Sequence, residues 1–154
     1  MLKRKNDRNN YYFTDSKLVE ILKEKGIRPT ETRKIILKEV SNSDHPDVNE
    51  IYLKIRGNHS NISMGTVYRN LNLFKEKGLI YELEQVGGVP GRFEIGSPDH
   101  SHFVCEKCGK IFDIEDQINK TEEKELSKKL GVMITHHRAE FYGFCKECGS
   151  DIGK

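Results

Sequence analysis

All four cysteines of this 154-residue chain stand in two knuckles, Cys105-Glu-Lys-Cys108-Gly109 and Cys145-Lys-Glu-Cys148-Gly149. Thiols at i and i+3 can share one metal, and two such pairs complete a tetrahedral Cys₄ zinc site with no open position. A closed site of this kind is a structural staple and not a catalyst. Each trailing glycine lets the backbone turn behind the sulfurs. Lys107, Lys110 and Lys146 can offset the negative charge of zinc held by four thiolates. The competing reading is a dithiol redox pair or two disulfides, but neither knuckle has the thioredoxin-like βαβ pattern around it.

Histidines make the second constellation. His100-Ser101-His102 precedes the first knuckle in an expected strand, where alternation puts both imidazoles on one face. Asp113 lies on the next expected strand (110–114), Glu94 ends an earlier one, and His45 precedes Pro46 at a turn. Imidazoles and carboxylates together form a borderline donor set that suits Fe²⁺, Mn²⁺, Co²⁺ or Zn²⁺. Spacing by itself supports only His100 and His102. A lone His45 is more often a turn residue, and a lone Glu94 a surface carboxylate.

The elements that must position these residues fall into two halves. Thr14 or Asp15 can cap a first helix bearing Leu18, Ile21 and Leu22 and ended by Gly26. Pro29-Thr30 opens a second, and Asp47-Val-Asn-Glu50 has capping-box spacing ahead of a third. Ser63 caps a fourth that Gly78 stops. Two strands follow, at 79–83 and 92–95, joined by a Gly-rich stretch. Helices followed by a strand pair are the layout of a winged helix-turn-helix.

On the fourth helix Met64, Val67, Leu71 and Phe74 recur at helical spacing and can bury one face. Arg69 then points away, with Thr66 and Asn72 beside it and Tyr68 on the flank. These side chains supply the donors and rings that base edges and phosphates need. Ser63 and Gly65 leave the first turn open to a phosphate. Residues 1–84 carry 16 Lys+Arg against 12 Asp+Glu, and residues 85–154 carry 10 against 12, so the positive charge lies in the half expected to meet nucleic acid. The basic segment Lys3-Arg-Lys5 with Arg8 can add nonspecific phosphate contacts or stand as an idle tail.

Between the knuckles, Ile118, Leu126 and Leu130 predict a helix ending at Gly131, followed by a strand at 132–134 and another around Phe141–Phe144. Leu126, Leu130, Phe141 and Phe144 are candidates for a core or a dimer interface. The expected fold class is α+β, with residues 14–92 a winged helix, 93–98 a hinge and 99–154 a small zinc-stapled α/β unit, after a basic tail at 1–13. A charged fraction of 32% and the absence of a long apolar run leave no place for a bilayer span, and the N-terminus lacks a secretory core. A cytoplasmic chain with reduced thiols is the expectation.

Four ordered segments now make a resemblance specific. They are Asp44-His-Pro-Asp-Val-Asn-Glu-Ile-Tyr52, Ser63-Met-Gly-Thr-Val-Tyr-Arg-Asn-Leu71, His100-Ser-His-Phe-Val-Cys-Glu-Lys-Cys-Gly109 and His136-His-Arg-Ala-Glu-Phe-Tyr-Gly-Phe-Cys145. Together they resemble the ferric uptake regulator family from about Ser16 to Gly149. The resemblance implies a homodimeric, metal-dependent DNA-binding repressor, and not an enzyme, with a C-terminal dimerisation domain. It implies structural Zn²⁺ on Cys105, Cys108, Cys145 and Cys148, and regulatory Fe²⁺ or Mn²⁺ on His45, Glu94, His100, His102 and Asp113. The implied DNA contacts are Lys17, Ser63, Gly65, Thr66, Tyr68, Arg69 and Asn70. A dimer presenting two recognition helices to grooves about 34 Å apart calls for a pseudo-palindromic operator, here expected to be AT-rich.

Within that family, Asp113 and the Arg92-Phe93-Glu94 segment are similar to peroxide-sensing members, in which Fe²⁺ and peroxide oxidise a ligating histidine, here His45 or His100. Glu94 itself stands where such members have Asp and iron-responsive members have Glu. A third metal site found in some members would fall on Asp99, Ser101, Lys120 and His137, of which only His137 matches. One structural and one regulatory metal per chain are therefore expected, with His137 a strand residue. A metal-dependent hydrolase is the more remote alternative, and it would leave the winged helix without a purpose.

Overall fold

In a computed structural model, the described residues are 13–83, 90–96, 101–114, 120–135, 137 and 139–149. They fall into two compact units, one ending at Gly96 and one lying beyond it. Among them no helix is long and apolar enough to cross a membrane.

The first unit packs four helices, α1 (Asp15–Glu24), α2 (Glu31–Asn42), α3 (Val48–Asn58) and α4 (Met64–Glu76), against the strands β1 (Ile80–Leu83) and β2 (Arg92–Ile95). Each helix begins at a side-chain cap. Thr14, Thr30, Asp47 and Ser63 accept from the main-chain N–H of Lys17, Arg33, Glu50 and Thr66. Asp47 and Glu50 close a full capping box. At the end of α4, Gly78 takes φ +59°, and Leu79 N–H reaches back 2.8 Å to the Phe74 carbonyl. That closure turns the chain directly into β1.

One core holds the unit together. Leu18 and Leu22 of α1, Ile36, Leu37 and Val40 of α2, Ile51 of α3, and Val67, Leu71 and Phe74 of α4 are all buried in it. β1 and β2 pair antiparallel, from Ile80↔Ile95 to Leu83↔Arg92. This is a winged helix-turn-helix with its wing anchored at the root, because Arg92 also bridges Asp47 and Phe93 N–H donates to the Pro46 carbonyl at 2.9 Å.

The second unit is a three-stranded sheet in the order β4-β3-β5, with β3 at Ser101–Cys105, β4 at Ile111–Ile114 and β5 at Glu140–Gly143. β4 runs antiparallel to β3 and β5 parallel to it. A parallel pair needs a long crossover, and α5 (Lys120–Leu130) lies within that connection. A last short helix, α6 (Lys146–Gly149), follows Cys145 and carries Cys148 of the second knuckle.

Two expectations need correction. Residues 132–134 form no strand; Val132 is half exposed and Met133 is 85% exposed. This short apolar run meets no strand edge among the described residues. Leu126, Leu130, Phe141 and Phe144 are not core, since each lies about half exposed or more on this single chain, which leaves the interface reading. Ile118 lies outside the described residues.

Candidate metal sites and nucleic-acid interface

The two knuckles meet at the end of the second unit's sheet. β3 delivers Cys105 as its last residue, and the turn to β4 brings Cys108 back over it through Gly109, at φ +67°, whose N–H donates to the Cys105 carbonyl at 2.8 Å. The second knuckle is instead a helical turn, with the Cys148 and Gly149 N–H groups both donating to the Cys145 carbonyl. The four sulfurs lie within 4.8 Å of one another, and those of Cys108 and Cys145 are 3.8 Å apart. Ligands about 2.3 Å from a tetrahedral zinc stand about 3.8 Å from each other, whereas a disulfide brings sulfurs to about 2.05 Å. All four cysteines are free thiols, and the set fits zinc.

The electrostatics are those of a site prepared for a cation. Burial pushes the Cys105 thiol up, but the main-chain N–H groups of Cys145, Cys108 and Lys107 outweigh it and bring the group down to about 6. The Cys145 N–H lies 3.3 Å from its sulfur. Cys148 is pushed up to about 12, by lost solvation first and then by its bonds to the other three sulfurs. Lys110 is raised by its partner Glu147 first, and further by the charge of Cys108 and Cys145. It is thus one of the cations that offset the thiolates.

Outside the cysteines, each unit holds an imidazole beside a carboxylate. In the first, His45 Nε2 lies 3.9 Å from Glu94 Oε2, and both residues are buried. In the second, the cross-strand neighbours His102 and Asp113 bring Nε2 and Oδ1 to 3.4 Å. Two ligands at about 2.1 Å from one divalent ion stand about 3–4 Å apart, so each pair has the spacing of two groups on a shared ion. His100 and Asp99 lie outside the described residues. Ser101 is buried in β3. His137 is in no strand; its Nδ1 meets Glu123 of α5, a carboxylate one turn beyond the Lys120 position. The sequence contained that partner, but only the helix geometry brings it round.

The polar side of α4 is exposed. Tyr68 is 48% exposed, and Ser63, Gly65, Arg69 and Asn72 are exposed with it. Arg69 folds back over the first turn, donating to Thr66 Oγ1 at 3.2 Å, and a Cβ on Gly65 would sit 3.6 Å from its guanidinium. Asn70 differs from its neighbours. It accepts from Arg33 Nε at 3.3 Å and donates to the Thr66 carbonyl at 2.8 Å, so its amide braces α4 against α2. Lys17, in the first turn of α1, pairs with Glu20 at 2.8 Å on the surface.

Sequence reasoning gave no role to Arg92. Its Nη1 donates to the His45 carbonyl at 2.8 Å and to Glu50 Oε2 at 3.0 Å. A positive charge two residues from a candidate ligand on a strand was the available signal.

The ferric uptake regulator family model matches residues 24–142. The chain is 41% identical over 131 residues to the peroxide operon regulator of Bacillus subtilis, covering 84% of this chain and 90% of that protein. Its fold is similar to the Helicobacter pylori ferric uptake regulator Fur (TM-score 0.74, 27% identity, 97% of this chain and 99% of that one). It is likewise similar to the Campylobacter jejuni peroxide stress regulator (TM-score 0.66, 30% identity, 86% and 97%). Motif order, fold and near full-length identity agree, and the chain belongs to the ferric uptake regulator family.

Proposed function

We propose that this chain is a cytoplasmic, homodimeric, metal-dependent transcriptional repressor that responds to peroxide by oxidation of a ligating histidine. The observation that carries the reading is the imidazole–carboxylate pair in each unit, at the spacing of two ligands on one ion. His45 and Glu94 with His100, His102 and Asp113 make one regulatory site for Fe²⁺ or Mn²⁺, and Zn²⁺ fills the cysteine site.

Ligands on both sides of the 93–98 hinge let occupancy fix the separation of the two α4 helices in the dimer. Ser63, Gly65, Thr66, Tyr68 and Arg69 then meet a pseudo-palindromic, AT-rich operator, with Asn70 bracing the helix and Lys17 on the backbone. The half-exposed Leu130, Phe141 and Phe144 are the apolar surface that a second copy covers.

Fe²⁺, held by these residues, would supply the redox chemistry that activates peroxide. Overall, an imidazole C–H of His45 or His100 would become C–OH, the ring losing the two electrons that peroxide gains, and the second peroxide oxygen would leave as water. The oxidised ring would no longer ligate and the repressor would leave the DNA. The likeness to the Bacillus subtilis peroxide operon regulator supports this branch. An iron-responsive repressor without peroxide chemistry is the second reading, favoured by Glu94, which is one methylene longer than Asp and can close the open position with both oxygens.

The test is the mobility of a labelled AT-rich pseudo-palindromic duplex with zinc-replete protein. Retardation that requires added Mn²⁺ or Fe²⁺ is expected. Metal-independent retardation, or turnover of a phosphodiester in place of binding, would overturn the reading.

A further inference from the structure

His45 is the only non-glycine residue among those described with a positive φ, at +44°. A side chain in that region crowds its own backbone, and such a conformation persists only where neighbouring contacts impose it. Asp44 Oδ1 lies 3.0 Å from the imidazole Nδ1, and the contacts to the backbone come from one strand. Phe93 N–H holds the Pro46 carbonyl at 2.9 Å, and Arg92 Nη1 holds the His45 carbonyl at 2.8 Å. Arg92 is itself fixed by Glu50 Oε2 at 3.0 Å, the same oxygen that accepts from the Asp47 N–H at the start of α3. Two residues on, Glu94 presents its carboxylate to the other end of His45, the imidazole Nε2. β2 therefore holds the His45 backbone and sets a carboxylate 3.9 Å from its ring.

We propose that Arg92 is a positioning residue for the regulatory metal: anchored by Glu50, it holds the His45 main chain in the left-handed turn that aims the imidazole at the ion. The proposal rests on the reading of His45 as a ligand. Arg92 touches no ion itself. Its effect is to present His45 already oriented, so that binding need not supply the free energy of ordering the turn.

The experiment is Mn²⁺ affinity of the zinc-replete, full-length dimer, measured by calorimetry and by electron paramagnetic resonance of free Mn²⁺. The variants are Arg92→Ala, Arg92→Lys, Glu50→Gln, His45→Ala and the double variant Arg92→Ala/His45→Ala. Loss of a group that orients a ligand weakens metal binding ~10- to 100-fold, which is the loss expected for Arg92→Ala. Arg92→Lys keeps a donor and a charge and should recover most of it. In the His45→Ala background, Arg92→Ala should add nothing, because there is no imidazole left to orient; a merely structural role would weaken both backgrounds alike. Glu50→Gln, which preserves an acceptor for the α3 cap, should weaken binding several-fold, and it tests the idea should Arg92→Ala fail to fold. Unchanged affinity in Arg92→Ala and Glu50→Gln while His45→Ala loses binding would overturn this proposal alone. Unchanged affinity in His45→Ala would overturn the ligand assignment and the proposal with it.

Discussion

His102 and Asp113 are direct cross-strand neighbours on β3 and β4, with Nε2 and Oδ1 3.4 Å apart. The sheet register brings the two side chains within reach, because residues opposite each other on antiparallel strands keep their Cβ atoms about 5 Å apart. A one-residue slip of β4 against β3 would send Asp113 to the other face, away from His102. Asp113→Ala should therefore weaken regulatory Mn²⁺ binding at least ~10-fold while leaving one zinc per chain. Metal analysis together with a Mn²⁺ titration checks both halves of that expectation.

The cysteine site should load zinc with release of protons. At pH 7 Cys105, brought down to about 6, is largely thiolate already, whereas Cys148, pushed up to about 12, and Cys108, also raised, still carry theirs. Protons and zinc compete for the same sulfurs, so affinity falls as pH falls, and falls more steeply below about 6, where Cys105 also protonates. Competition against a chromophoric chelator across pH 5–8 reads this slope. Stripping the zinc should unfold or dissociate the second unit, seen as loss of cooperative melting.

Arg69→Ala should lower operator affinity by about 1–3 kcal/mol and relax sequence preference, without changing Mn²⁺ binding. Fluorescence anisotropy with matched and scrambled duplexes separates this from a loss of phosphate contact, which would weaken both duplexes equally and flatten the salt slope.

Phe74 packs the inner face of α4 with no exposure. Phe74→Ala should cost about 3–5 kcal/mol of stability in the first unit, read by chemical denaturation. Phe141→Glu should act differently. Phe141 is half exposed on the single chain, so the charge should leave each chain folded but shift the dimer toward monomer in sedimentation.

Much of this was legible along the chain because the signals are local. Thr30, Asp47 and Ser63 cap the helices that their side chains announce, and the CxxC spacing places two sulfurs on one turn whatever the tertiary fold. What could not be read depends on partners distant in sequence. Residues 132–134 are an apolar run like a short strand but have no edge to join among the described residues. Asn70 sits within a polar helix face, yet its amide is taken by Arg33 from α2. His45 looks like an ordinary turn residue until Arg92, on a strand 47 positions away, is found holding its carbonyl.

The most direct test is the intact and peptide mass of Fe²⁺-loaded, zinc-replete protein prepared without oxygen and given a small dose of peroxide, with DNA binding measured on the same sample. One added oxygen on the peptide bearing His45 or His100, absent from the Mn²⁺ form and accompanied by loss of operator binding, is the expected result. An unchanged mass, with DNA binding lost only when iron is withdrawn, would contradict peroxide sensing and leave a repressor that reports iron.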